Sequence, residues 1–65
     1  MPRYHFHITN GHKIVDPSGR ELRDRKQAHA EAEHIAGTWE KGKNVEVTDW
    51  DGEVVENVPT TKKPQ

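Results

Sequence analysis

Residues 3–8 alternate strictly between polar and apolar side chains, and this pattern constrains the fold more than any other feature of the chain. The order is Arg3, Tyr4, His5, Phe6, His7 and Ile8. A period of two over such a run is typical of a β-strand with one buried face. Asn10-Gly11 follows and favours a tight hairpin turn, because both residues tolerate positive φ. Residues 12–16 are therefore predicted to return as a second strand.

A single amphipathic helix is predicted beyond the Asp-Pro-Ser-Gly turn at residues 16–19. Asp24 is suited to cap its first turn, and Gln27 stands at the second position of a capping box. The apolar positions recur at helical spacing on one face and are Ala28, Ala32, Ile35, Ala36 and Trp39. Because most of them are alanine, the helix can lie close to a sheet. Gly42 fits the end of the helix, and Gly37 is an earlier alternative.

A second hairpin is predicted in the last third of the chain. Residues 44–48 alternate again, residues 49–52 favour a type I turn, and residues 53–58 form the last strand before Pro59. The predicted fold class is α+β. Its order is ββαββ, a four-stranded antiparallel sheet with one amphipathic helix packed on one face.

The predicted core gathers the apolar side of each element beneath the alanine-rich face of the helix. Its members are Tyr4, Phe6, Ile8, Leu22, Ala28, Ala32, Ile35, Trp39, Val45, Val47 and Val58. One residue of the pair Ile14 and Val15, and one of the pair Val54 and Val55, should join them. The register of the two turns decides which, since a shift of one residue moves a side chain to the other face.

The chain is short and poor in apolar residues. Its 65 residues are 29% hydrophobic and contain no cysteine, so neither a disulfide nor a thiolate metal site can support the fold. Because so small a core gives marginal stability, we expect a homodimer.

We predict one domain over residues 1–59 and a disordered tail over residues 60–65. With no run of about 18 apolar residues and no signal-peptide core, we expect a soluble cytoplasmic protein without membrane contact.

Five segments resemble, in their order and spacing, a family of short bacterial proteins described only as a domain of unknown function. They are residues 1–7, 21–24, 28–32, 47–54 and 58–59, which read MPRYHFH, ELRD, AHAEA, VTDWDGEV and VP. The resemblance covers residues 1–59. Arg23 stands where the family tends to have proline, and Thr60 where it tends to have an aromatic residue. The family has no assigned activity, so the resemblance implies the fold and leaves the function open.

The histidines form the first candidate site. His5 and His7 are two residues apart on a predicted strand, so both point away from the predicted core. If Asn10-Gly11 forms a two-residue turn, His5 faces Asp16, and His12 shares their surface with His7. Three imidazoles and one carboxylate are a plausible ligand set for Zn²⁺, Ni²⁺ or Cu²⁺. The alternative is that these are polar side chains on a solvated sheet face, and a three-residue turn would scatter them.

Trp50, in the predicted second turn, is a candidate for partner binding. A turn does not need tryptophan, and an exposed large aromatic side chain can anchor a protein partner. Burial of the indole against the sheet edge or the helix end is the alternative.

Charge divides the chain into a basic and an acidic half. Residues 1–30 carry six Lys/Arg and three Asp/Glu, whereas residues 31–65 carry four and eight. The basic half could bind phosphate near the helix N-terminus. However, residues 44–58 carry five acidic residues and no Lys or Arg, which would repel a nucleic-acid backbone. Pairing of the two halves, within one chain or between subunits, is the interpretation that we favour over nucleic-acid binding.

No sequence feature indicates catalysis. The chain has no cysteine, Ser18 lies in a Pro-Ser-Gly turn, and there is no Gly-rich phosphate loop. We therefore expect a non-catalytic interaction module that self-associates, binds a protein partner, or does both. One alternative is a Zn²⁺- or Ni²⁺-binding or pH-responsive protein that uses its histidines. Another is a nucleic-acid-associated, antitoxin-like regulator, an idea that rests on analogy of fold alone.

Overall fold

A five-stranded antiparallel sheet carries one helix on one face. The computed structural model describes residues 2–63. The elements are β1 (Arg3–Thr9), β2 (Lys13–Ile14), β3 (Arg20–Glu21), α1 (Arg25–Ala36), β4 (Asn44–Thr48) and β5 (Val54–Pro59). The predicted α+β class is confirmed, and β3 is an additional strand that the sequence did not predict.

Strand β1, the first in the chain, lies inside the sheet. From His5 to Thr9 it pairs with β4, and β4 pairs in turn with β5, so the two predicted hairpins join through β1 and β4. On its other edge, β1 pairs with β2 near its C-terminal end and with β3 near its N-terminal end. Together β2 and β3 act as one interrupted edge strand.

The core lies between α1 and the side of β1 and β4 that faces the helix. Its buried residues are Tyr4, Phe6, Ile8, Ala28, Ala32, Ala36, Val45 and Val47, with Leu22, Ile35, Trp39, Val55 and Val58 partly buried against them. Every residue of the predicted core list belongs to this cluster. Ile14 and Val15, of which the sequence predicts one inside, are 54% and 59% exposed, so that prediction is wrong.

Two local side chains cap the start of helix α1. The Asp24 carboxylate accepts the N–H of Gln27 (3.0 Å), and the Gln27 side-chain oxygen accepts the N–H of Arg23 (2.8 Å). The helix ends at Ala36, so Trp39 packs on the core from beyond the helix. No helix within residues 2–63 is long and apolar enough to cross a membrane.

Residues 60–62, predicted as the start of a disordered tail, are instead hydrogen-bonded to the segment that follows α1. The buried Thr60 hydroxyl donates to the carbonyl of Glu40 (2.7 Å) and accepts the N–H of Lys43 (3.0 Å). The next two N–H groups donate to carbonyls at the end of α1 and just beyond it. Residues 64–65 of the predicted tail lie outside the described residues.

Replacing Thr60 by valine should destabilise the domain, because valine keeps the shape but leaves buried backbone groups without their partner. We expect the free energy of unfolding to fall by about 1–3 kcal/mol. Urea unfolding followed by circular dichroism measures it. Thr61→Val is the matched control, since Thr61 is exposed and should change stability by less than about 0.5 kcal/mol. Equal effects at the two positions would contradict a structural role for residue 60.

Candidate functional site

The first hairpin turn places three residues, 10–12, between the paired residues Thr9 and Lys13. A two-residue type I′ turn needs positive φ at both central positions. Gly11 has a φ of 72°, but Asn10 does not adopt positive φ. The predicted two-residue turn is therefore wrong.

Residues 15–19 bulge out of the edge strand. Ile8 pairs with Ile14, and Tyr4 pairs with Arg20. Three residues of β1 therefore lie opposite five residues of the edge, and a regular ladder cannot form between them. The backbone polar groups of β1 that face this gap need other partners.

Asp16 supplies hydrogen bonds across this gap: its side chain bonds to the backbone of β1, and its backbone bonds to side chains of β1. Its carboxylate accepts the backbone N–H of Phe6 (3.2 Å), a bond that a neighbouring strand would otherwise supply. Its own backbone bonds to two imidazoles. The carbonyl oxygen lies 2.9 Å from His5 Nδ1, and the N–H donates to His7 Nδ1 at 3.0 Å. Side chains of β1 thus replace the main-chain ladder at this point.

The hydrogen bonds fix the tautomers of the two imidazoles, which stack with their centroids 6.0 Å apart. A carbonyl can only accept, so His5 Nδ1 carries a proton, and Nε2 is the acceptor of the neutral ring. A backbone N–H can only donate, so His7 Nδ1 is unprotonated. In the neutral ring His7 Nε2 then carries the proton, and it lies 3.2 Å from Thr48 Oγ1. Both nitrogens of His7 are therefore occupied.

His7 is only 7% exposed, although the sequence predicts it on a solvated face. It does lie on the face away from the helix, but the Asp16 backbone and the Thr48 hydroxyl close over it. Burial lowers the pKa of the His7 imidazole below its usual 6.5, and the Lys13 ammonium acts in the same direction. The carboxylate of Glu46 opposes them without reversing the shift. His7 is thus a neutral, structural histidine.

The turn that follows Asp16 holds its carboxylate ionised. Burial alone would raise the pKa of Asp16, but N–H groups of Gly19, Phe6 and Ser18 donate to the carboxylate and bring its pKa below the ordinary 3.8. Gly19 has a φ of +68°, and a Cβ there would lie 2.6 Å from the carbonyl oxygen of Tyr4. Only glycine fits this close approach without strain.

A cleft of about 340 Å³ opens between this bulge and the turn that joins β4 to β5. We call it the histidine cleft, and its lining residues are His5, His7, Val15, Asp16, Pro17, Thr48, Asp49, Trp50 and Gly52. Trp50 is 60% exposed, so the alternative of a buried indole does not hold. Its ring meets the buried Tyr4 ring edge to face, at 5.9 Å between centroids. The indole is therefore exposed and at the same time oriented.

Three of the four predicted metal ligands, His5, His7 and Asp16, lie together, whereas His12 is exposed in the first turn. Over residues 2–63, no three His, Cys, Asp or Glu side chains are grouped so that they could hold a metal ion. Metal binding here stays a prediction, and His7 would have to release Asp16 or Thr48 to serve as a ligand.

Sequence reasoning missed Val15, Pro17 and Thr48 as residues of the cleft. The alternation in β4 could have revealed Thr48, because it pairs with His5 and so shares its face. Val15 and Pro17 depend on the bulge, which follows from the register of two strand pairs and not from a local pattern.

The predicted pairing of the basic and acidic halves is found within the chain. Lys13 lies 2.8 Å from Glu46, and Arg20 lies 2.8 Å from Glu31. His29 pairs with Glu33, four residues further along α1, and it also bonds to Glu56 of β5. The Glu56 hydrogen bond and charge raise the pKa of His29.

Within residues 2–63, the geometry defines a small α+β domain with a cleft on the sheet face opposite the helix. The chain matches the model of the domain of unknown function DUF6894 over residues 3–61, and it belongs to that family. This confirms the predicted resemblance to a family of short uncharacterised proteins. No curated protein matches the chain significantly, and neither does any solved structure.

Gly19→Ala should destabilise the domain more than Gly11→Ala. Both glycines have positive φ, but a Cβ at Gly19 meets backbone at 2.6 Å, whereas at Gly11 nothing lies within 4 Å. The backbone cost of about 1 kcal/mol is common to both variants, so the difference between their urea midpoints isolates the clash. Equal midpoints would mean that the bulge moves away without cost.

Stability should fall when the pH is lowered from neutral through the folded-state pKa of His7. The unfolded chain takes up this proton at a usual pKa of about 6.5, above the lowered value in the folded state, so acid favours unfolding. His29 acts oppositely: its raised pKa gives stability that is lost as the pH rises. Urea unfolding at several pH values measures the sum of these effects.

The variant His7→Asn separates the contributions of His7 and His29 to the pH dependence of stability. The asparagine oxygen can accept the Asp16 N–H but does not titrate. We expect this variant to lose the part of the decrease between about pH 6.5 and the folded-state pKa of His7, with His29 unchanged. His12→Asn, in the exposed turn, should keep the wild-type pH profile. A His7→Asn variant with that same profile would show that His7 is not the group responsible.

Proposed function

We propose that this protein is a small non-catalytic interaction module and that the histidine cleft is its binding surface. The observation that carries the proposal is Trp50, an exposed indole held in place at a cleft. Tryptophan is among the residues that most often dominate binding energy at interfaces. The Tyr4 contact restrains the indole before any partner arrives, which reduces the entropy lost on binding.

The two walls of the cleft support the proposal. Val15, 59% exposed, lies on the bulge side, and Trp50 lies on the opposite turn. A volume of about 340 Å³ is near the lower end of ligand pockets, which suits one large side chain better than an extended small molecule. Polar groups between the walls, such as the half-buried His5, would orient what enters.

The histidine geometry favours a binding role over catalysis. His7 uses both ring nitrogens to hold the bulge and Thr48, and His5 uses one nitrogen for the Asp16 carbonyl. The Asp16 carboxylate is engaged by three backbone N–H groups. These side chains shape the cleft instead of standing ready to transfer protons. On the resemblance described above, we propose a bacterial protein, and its cytoplasmic location stays an expectation from the sequence.

Selection of random peptides displayed on phage tests the proposal. Recovered peptides, once synthesised, should shift the Trp50 indole resonance of the wild-type protein. Trp50→Ser should weaken their binding by about tenfold or more, as expected for an anchor residue. Ile14→Ser is the matched control, because Ile14 is similarly exposed (54%) but does not line the cleft.

Sedimentation equilibrium of the wild-type protein and of the Trp50→Ser variant tests whether the protein self-associates through the cleft. If a second copy occupies the cleft, the wild-type protein is a dimer and Trp50→Ser a monomer. Peptides that bind equally well to Trp50→Ser, together with a monomeric wild-type protein, would refute the histidine cleft as the binding surface.

A further inference from the structure

We propose that the histidine cleft receives a positively charged side chain, an arginine or lysine of a protein partner, against the indole of Trp50. This inference rests on the proposed function, because it names the chemistry of the partner at that same surface.

The turn between β4 and β5 carries negative charge that the chain does not neutralise. Asp49, Asp51 and Glu53 form no ion pair with any Lys, Arg or His side chain of residues 2–63. Residues 44–58 contain no Lys or Arg. A cation brought to this turn therefore meets complementary charge, whereas an acidic or phosphorylated partner would be repelled.

Cations elsewhere on the cleft face of the sheet are already engaged. Lys13 pairs with Glu46, which is mostly buried. Arg3 donates to the carbonyl of Ser18 (2.7 Å) and pairs with Glu21 (3.2 Å). Because both cations are paired elsewhere, the negative charge of the turn between β4 and β5 is available to a partner.

The turn is held by one of its three carboxylates, and the other two are available. Asp49 Oδ1 accepts the N–H groups of Asp51 (2.9 Å) and Glu53 (3.0 Å). The side chains of Asp51 and Glu53 make no hydrogen bond within the described part of the chain. Neither residue lines the histidine cleft, so both contribute negative charge beside the indole of Trp50 and not contacts inside the cleft.

Trp50 lies between Asp49 and Asp51 in the sequence and adds a second attraction for a cation. A guanidinium or ammonium group over an indole face gains about 0.5–1 kcal/mol at an exposed site, which is two- to fivefold in affinity. His5, which lines the cleft, presents Nε2 as an acceptor in its neutral form, and a guanidinium has donors to spare for it. A planar arginine can thus stack on Trp50 and donate hydrogen bonds at its edge.

Titration with two peptides, monitored by ¹H–¹⁵N spectra at a pH above the usual histidine pKa, tests the inference. The probes are acetyl-Gly-Gly-Arg-Gly-Gly-amide and the same peptide with neutral citrulline in place of arginine. We expect the arginine peptide to shift the Trp50 indole signal saturably and to bind about tenfold more tightly than the citrulline peptide. The Trp39 indole, which packs against the core, should stay unchanged.

The variant Asp51→Asn/Glu53→Gln should weaken the arginine peptide by about threefold to tenfold and leave the citrulline peptide unaffected. Glu40→Gln, an exposed acid outside the turn, is the matched control and should have no effect. Equal binding of both peptides at Trp50 would overturn the cation inference while leaving the proposed binding surface intact. If neither peptide moves the Trp50 signal, the cation inference falls, and the phage selection decides the proposed function separately.

Discussion

The exchange of hydrogen bonds at Asp16 is the interaction on which the rest of the structure depends. Strand β1 lies inside the sheet, yet its outer edge meets a partner strand only at its two ends. Each buried N–H left without a partner in the gap would cost about 1–3 kcal/mol. Asp16 supplies its carboxylate to the backbone of β1 and its backbone to the side chains of β1. The same bonds bury His7 and form one wall of the cleft, so the stability of the sheet and the shape of the candidate site have a common origin.

The two faces of the sheet are stabilised by different means. The helix face is apolar, and three alanines of α1 bring the helix close to valines of β4. The opposite face has no second layer of secondary structure among residues 2–63 and is closed by hydrogen bonds and an ion pair, including those of His7 and Glu46. An uncovered apolar face would favour aggregation. Hydrogen-bonded polar groups at the centre of this face limit that hazard, and the exposed Val15 and Trp50 lie at the cleft beside them.

Sequence patterns predicted the helix, both hairpins and the core list, because period-two and helical spacing record which face each residue presents. Asp24 and Gln27 marked the helix start correctly, since capping chemistry is local. The predictions were wrong where the structure depends on backbone angles or on contacts between residues distant in sequence. The first turn has three residues and Asn10 does not adopt positive φ, and the side chain of Thr60 hydrogen-bonds to groups 17 and 20 residues away in sequence. Trp50 could be singled out as a candidate, but its orientation depends on Tyr4, which no spacing rule connects to it.

The position of β1 in the chain has a consequence for folding. β1 is the first strand, and its main partner, β4, begins only at residue 44, so the Phe6–Val47 pair closes a loop of about 40 residues. Such non-local pairing slows folding relative to helical domains of the same size. During synthesis the alternating segment must therefore remain without its sheet partner until most of the domain has been made. The polar residues of β1, above all its two histidines, prevent the unpaired segment from being a continuous apolar strand. These histidines acquire their structural hydrogen bonds only when the backbone of Asp16 packs against them.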